Sequence, residues 1–154
     1  MNKVVTLTGG KYAGQLTLAY KLGANSDAEF VKPYTDREVP IGVDPDTIGD
    51  YHFVSKDVLD KMIDEEEVLC STEINNARYV IFIKQLVNDY NILVVDDYQL
   101  LDVKRRWSNL FTVKVHGRNE ESSDRVDVCF RDDEFDEVFM FGVDDFDILE
   151  ARII

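Results

Sequence analysis

The stretch Val4 to Leu22, VVTLTGGKYAGQLTLAYKL, constrains the fold more than any other part of the chain. A short apolar, β-branched run (Val4, Val5, Leu7) stops at Gly9-Gly10. After a tight segment ending in Gly14 the pattern turns helical, with Leu16, Ala19, Tyr20 and Leu22 recurring at three- and four-residue steps. That order reads as strand, glycine loop, helix. The loop has the G-x-x-x-x-G spacing with which backbone N–H groups close on phosphate oxygens at a helix N-terminus. A working loop of this kind continues with Lys and then Ser or Thr, which serve the terminal phosphates and Mg²⁺. Here Gln15 and Leu16 stand in those places: an amide without charge, and a side chain that cannot bind metal. Gly9, Gly10, Lys11, Gly14, Gln15 and Thr17 are thus the remnant of a phosphate loop, in which Lys11 has the flexible stem to swing an ammonium toward a phosphate.

The 154 residues read as one domain spanning 1–154, large enough to bury roughly 70% of its unfolded surface. No apolar run approaches the ~20 residues of a membrane span, and Met1 onward lacks the pattern of a signal peptide. Two cysteines, Cys70 and Cys129, are too few for a disulfide scaffold; buried thiols and a cytoplasmic setting are expected. The net charge is −14, and thirteen Asp or Glu against Arg125 and Arg131 between Glu120 and Glu150 place −11 of it there. A solvated acidic face explains such a run, as does a surface that docks on a basic partner. Asp132, Asp133, Glu134, Asp136 and Glu137 form its densest part. Direct nucleic-acid binding needs a basic footprint and is not expected.

Along the chain, Ala28 to Lys32 is expected as a strand and Pro33 to Asp50 as a loop. Tyr51 to Val54 reads as a strand, followed by a helix capped by Ser55 with Val58, Leu59, Met62 and Ile63 as its buried stripe. Val68 to Ile74 alternates in part, and Arg78 to Ile83 suits either a strand or the start of a helix. Ile92 to Val95 reads as a buried parallel strand with Asp96-Asp97 at its C-terminal end, where the ligand crevices of open α/β sheets lie. A helix from Gln99 to Trp107 is expected next, then strands at Phe111 to Val115, Arg125 to Arg131 and Glu137 to Phe141, and a final helix from Asp145. The last strands are expected to add to the sheet in antiparallel fashion. His52 and His116 have no partner in view.

The order of these pieces, read with Thr35-Asp36-Arg37 and Asp50-Tyr51-His52-Phe53-Val54-Ser55, resembles the guanylate kinase family over Val4 to about Lys104. The family has a phosphate loop, a T-T-R motif and D-Y-H-F-V-S leading into a helix. The resemblance implies a three-layer P-loop α/β fold with a mostly parallel central sheet. It also implies an acceptor-GMP phosphate site to which Arg37 and Tyr51 correspond. Tyr79 is what remains of the Y-Y-G-[ST] motif in Arg78-Tyr79-Val80-Ile81, and Asp97, with Gln99, resembles the acid near the phosphates and metal. The departures are as informative. Pro40 stands where the family has its second phosphate-binding Arg, and Cys70 where a Glu reads guanine. Ten residues between Val115 and Val126 are too few for the arginine-bearing lid.

Phosphoryl transfer depends on positioning and charge stabilisation, and losing one preorganised donor costs about 10²–10³ in turnover. With loop Lys, metal hydroxyl, second acceptor Arg and lid missing, at least ~10⁴ should be gone. The expected function is a kinase-dead protein-binding module without a cofactor, such as a small phage or bacterial regulator whose acidic surface holds a basic protein. Two alternatives stay open: a nucleoside monophosphate kinase using Mg²⁺ and ATP with Lys11 in the loop, and a nucleotide sensor binding a monophosphate at Arg37, Tyr51 and Tyr79 without chemistry.

Overall fold

The computed structural model describes residues 2–10, 13–39, 41–42, 49–117 and 130–154. The chain forms two compact units, Met1–Phe30 with Val87–Ile154, and Val31–Leu86.

The first unit is built on β1 (Lys3–Gly9), whose Val4, Val5 and Leu7 are fully buried. β1 lies between β7 (Tyr90–Val94) and β8 (Leu110–His116), with β2 (Ala28–Phe30) beyond β7 and β9 (Glu137–Met140) beyond β8. All four pairings are parallel. Strand alternation sends Val5 and Leu7 to one face, where they meet Leu18 and Leu22 of α1 (Gln15–Gly23) and Leu149 and Ile153 of α4 (Phe146–Ile153). Val4, Thr6 and Thr8 turn to the other face, against which α3 (Asp97–Arg106) buries Leu100 and Val103. The result is three layers, as the motif resemblance implied.

Several details differ from the sequence reading. In α1 the buried residues are Leu18, Ala19 and Leu22, while Leu16 and Tyr20 are exposed. At about 100° per residue Leu16 falls on the side opposite Leu18. α3 begins two residues earlier than expected, because Asp96 caps it: the Gln99 N–H donates to Asp96 Oδ1 at 2.7 Å and the Asp96 N–H to Gln99 Oε1 at 3.0 Å. The antiparallel C-terminal addition is corrected: β9 runs parallel to β8, Val113 opposite Glu137 through His116 opposite Met140. Residues 117–136 exceed the dozen or so that a parallel crossover needs. The strand expected over Arg125 to Arg131 lies outside the described residues except for Phe130 and Arg131, which are not in a strand. Trp107 ties the end of α3 to the N-terminus, its indole N–H donating to the Asn2 carbonyl at 2.9 Å.

The second unit is a four-stranded sheet in the order β4 (His52–Phe53), β3 (Tyr34–Thr35), β6 (Ala77–Phe82), β5 (Val68–Ile74), with α2 (Lys56–Glu65). β5 and β6 form a hairpin, which resolves the strand-or-helix ambiguity at Arg78 to Ile83. Its two-residue turn is Asn75-Asn76, with φ 52° and 66°, both left-handed as a primed turn requires and as Asn tolerates. β3 lies inside the stretch read as loop. Leu59, Val80 and Phe82 form the core, with Tyr34, Val54, Met62, Ile63 and Val68 packed around them. Of the stripe expected on α2, Val58 is exposed and only Leu59 is fully buried. Cys70 is buried in β5, and Cys129 lies outside the described residues.

Ser55 caps α2 as expected, its Oγ accepting the Val58 N–H at 3.2 Å. Ser55→Ala is therefore expected to cost about 1 kcal/mol in urea unfolding, and Ser55→Asp to preserve stability. No helix among the described residues is long and apolar enough to cross a membrane.

Candidate functional site

The glycine loop closes on itself. The Gly10 carbonyl accepts the Ala13 N–H at 3.2 Å and the Gln15 Nε2 amide, also at 3.2 Å. Two donors of the described part of the loop are thus committed to a protein oxygen. Gly14 caps α1 at φ 99°, a backbone conformation that side chains resist. A Cβ there would lie 2.6 Å from the Phe141 ring, so this aromatic, itself edge-on to Phe139 at 5.2 Å, packs directly on the loop's last glycine. Gly9 has a similar constraint from the Val115 carbonyl, 2.4 Å from an added Cβ. Thr17 is exposed on α1, and Lys11 lies outside the described residues.

Among the described residues, the loop lacks the charge and the metal ligand that a nucleoside triphosphate with Mg²⁺, which the motif resemblance implies, would need. Leu16 offers no oxygen, Gln15 offers no charge, and the Gln15 amide is bonded within the loop. Asp97 occupies the first turn of α3 rather than the end of β7. Burial raises its carboxyl above the ordinary range, Lys114 works against this, and Asp96 adds to it. Among the described residues no group of three or more His, Cys, Asp or Glu could hold a metal ion.

Arg37, Tyr51 and Tyr79 come together in the second unit, whereas Asp97 belongs to the first. The exposed Arg37 guanidinium lies 5.1 Å from the centre of the Tyr51 ring and 5.4 Å from that of Phe53. Tyr51 in turn meets Tyr79 at 5.2 Å. Burial, and Tyr79 after it, push the Tyr51 phenol above its ordinary value, against the pull of Arg37. The Arg37 N–H donates to the buried Thr35 Oγ1 at 3.1 Å, which fixes the backbone at this point. A cation held over two rings by about 0.5–1 kcal/mol remains available to an anion.

The sequence reading missed what Asp36 and Arg78 do. Each departs from the family motif, Asp36 replacing the second Thr of T-T-R and Arg78 the first Tyr of Y-Y-G-[ST], and the two departures meet. Asp36 accepts the Arg78 backbone N–H and its Nε, each at 2.8 Å. Arg78 Nη1 reaches Asp60 at 2.6 Å, and Nη2 donates to the Lys56 carbonyl at 3.3 Å. This clamp joins β3, β6 and α2 within the second unit. Two substitutions of opposite charge in neighbouring motifs were the available clue.

The densest part of the acidic stretch, Asp132 to Glu137, is engaged within the protein. Asp132 pairs with His116 Nε2 at 3.0 Å, which supplies the partner that the sequence did not show. Asp133 and Glu134 flank Arg131 at 3.3 and 3.5 Å. Asp136 accepts the N–H of Thr112 at 2.8 Å, and Glu137 pairs with Arg152. His52 is exposed and stacks on Tyr34 at 4.7 Å.

No family model matches the sequence, and no curated protein matches it. Among solved structures, guanylate kinase from Anaplasma phagocytophilum is similar with a TM-score of 0.66, covering 99% of this chain and 82% of that one at 16% identity. At that identity the likeness concerns the fold alone, and the fold of this chain is that of a guanylate-kinase-like P-loop α/β protein.

Proposed function

We propose that this protein is a guanylate-kinase-like binding module that has lost phosphoryl transfer and holds a basic protein partner. The observation that carries this reading is the commitment of the Ala13 N–H and the Gln15 amide to the Gly10 carbonyl, in a loop that has neither the usual Lys nor a metal hydroxyl. Catalysis of phosphoryl transfer needs free, convergent donors and positive charge at that point. The net charge of −14 favours a basic partner, recognised with steep salt dependence.

The test is calorimetric titration of the protein with ATP, GMP and the deoxynucleoside monophosphates in the presence of Mg²⁺, together with a coupled turnover assay. The expected result is no turnover and no heat from ATP. Mg²⁺-dependent turnover that Lys11→Ala or Arg37→Ala abolishes would overturn the reading in favour of an active kinase. The cluster of Arg37, Tyr51 and Tyr79 favours one second reading, a nucleotide sensor, for which heat from a monophosphate without turnover is the signature.

A further inference from the structure

Among the described residues β9 is the edge of the five-stranded sheet, and the groove between it and α4 has the features of a docking site. The groove has a volume of about 230 Å³ and is lined by Phe139, Ile148 and Leu149, by Asp144 and Asp145, and by the Glu137–Arg152 pair. Ile148 is 58% exposed although it lies one turn before Arg152 on the same helix face. The Phe141 N–H donates to the His116 carbonyl, so in the parallel ladder Glu137 and Phe139 also face β8 while Val138 and Met140 face outward. Met140 is blocked by its own turn: its N–H donates to Asp144 Oδ2 at 2.7 Å and its carbonyl accepts the N–H groups of Val143 and Asp144. The outward-facing N–H and C=O of Val138 are left at the lip of the groove.

Charge identifies the occupant. The carboxylates of Asp132 to Glu137 have partners within the protein, but among the described residues no Lys or Arg pairs with Asp144, Asp145, Asp147 or Glu150. A second copy of this chain would bring the same four carboxylates against themselves. We propose that the groove binds an extended, basic segment of a partner protein. That segment hydrogen-bonds to Val138 as an added strand, sets an aliphatic side chain on Ile148 and Leu149, and directs Lys or Arg at Asp144 and Asp145. This rests on the binding-module reading and gives it a location.

The probe is a fluorescein-labelled synthetic peptide of alternating Lys and Leu, followed by anisotropy, with Glu–Leu and backbone N-methylated Lys–Leu peptides as comparisons. The Lys–Leu peptide is expected to bind saturably and more weakly as salt rises, and to shift the Val138 amide resonance; the two comparison peptides should not. Ile148→Lys, at an exposed position where the fold tolerates change, should weaken binding by about tenfold or more. Absence of saturable binding, resonance shifts confined elsewhere, or equal binding by the N-methylated peptide or by Ile148→Lys would overturn the proposal. So would a dimer in sedimentation that Ile148→Lys abolishes, which would assign the groove to a second copy. Peptide failure with silent nucleotides removes this inference alone, whereas nucleotide turnover removes the reading beneath it.

Discussion

Gly14→Ala is expected to destabilise the protein by about 2–4 kcal/mol, which places it among the costliest single-methyl additions available to this chain. Two effects add. At φ 99° an L-residue is strained by about 1–2 kcal/mol, and the new methyl carbon would lie 2.6 Å from the Phe141 ring, inside van der Waals contact. Phe141 cannot withdraw freely, because it packs on Phe139 and on the cluster around Val5 and Leu7. The two effects separate in a double-mutant cycle measured by urea unfolding. In a Phe141→Ala background the methyl has room, and Gly14→Ala should then cost only the backbone part, about 1–2 kcal/mol. Equal costs in both backgrounds would show that Phe141 does not hold the loop.

The second large effect is at the clamp of the other unit. Arg78→Ala should cost about 2–3 kcal/mol, because it leaves the nearly buried Asp36 carboxylate without its charge partner and breaks the link to Asp60. Arg78→Lys keeps the charge but not the fork, and should recover only part. The clamp also sets a pH dependence. Burial pushes the Asp36 carboxyl up, but the hydrogen bonds and charge of Arg78 outweigh this and hold it below its ordinary 3.8. A carboxylate with a depressed folded value contributes stability above its unfolded value and loses it as pH falls through the folded one. Unfolding measured from about pH 7 down to about pH 2 should therefore show a shallower acid decline in Asp36→Asn than in the parent. Identical acid slopes would place the acid sensitivity elsewhere.

Much of the fold was legible because its signals are local. The strand of Val4, Val5 and Leu7, the helix that follows Gly14 and the Ser55 cap each depend on a few adjacent residues, and each appears in the structure where it was read. The direction of β9 was not legible. Parallel and antiparallel edges use the same alternation, and the choice lies in where the crossover returns. The β5–β6 hairpin was ambiguous because a β-branched run suits either period, although Asn75-Asn76 could have decided it through left-handed turn chemistry.

For the candidate site the division is sharper. The sequence by itself determined which chemistry was missing: Gln15 for a loop Lys, Leu16 for a metal hydroxyl, Pro40 for an Arg. Residue type alone sets charge and coordinating ability. Only the tertiary structure decided what the remaining groups do instead. Gln15 turns to the Gly10 carbonyl, Asp36 and Arg78 meet across 42 positions, and Asp132 to Glu137 find partners across the fold, while Asp144 and Asp145 accept only backbone N–H groups of their own turn and pair with no Lys or Arg among the described residues. Hydrogen bonds and ion pairs act over a few ångströms of space, so partners far apart in the chain are set by how the strands and helices pack.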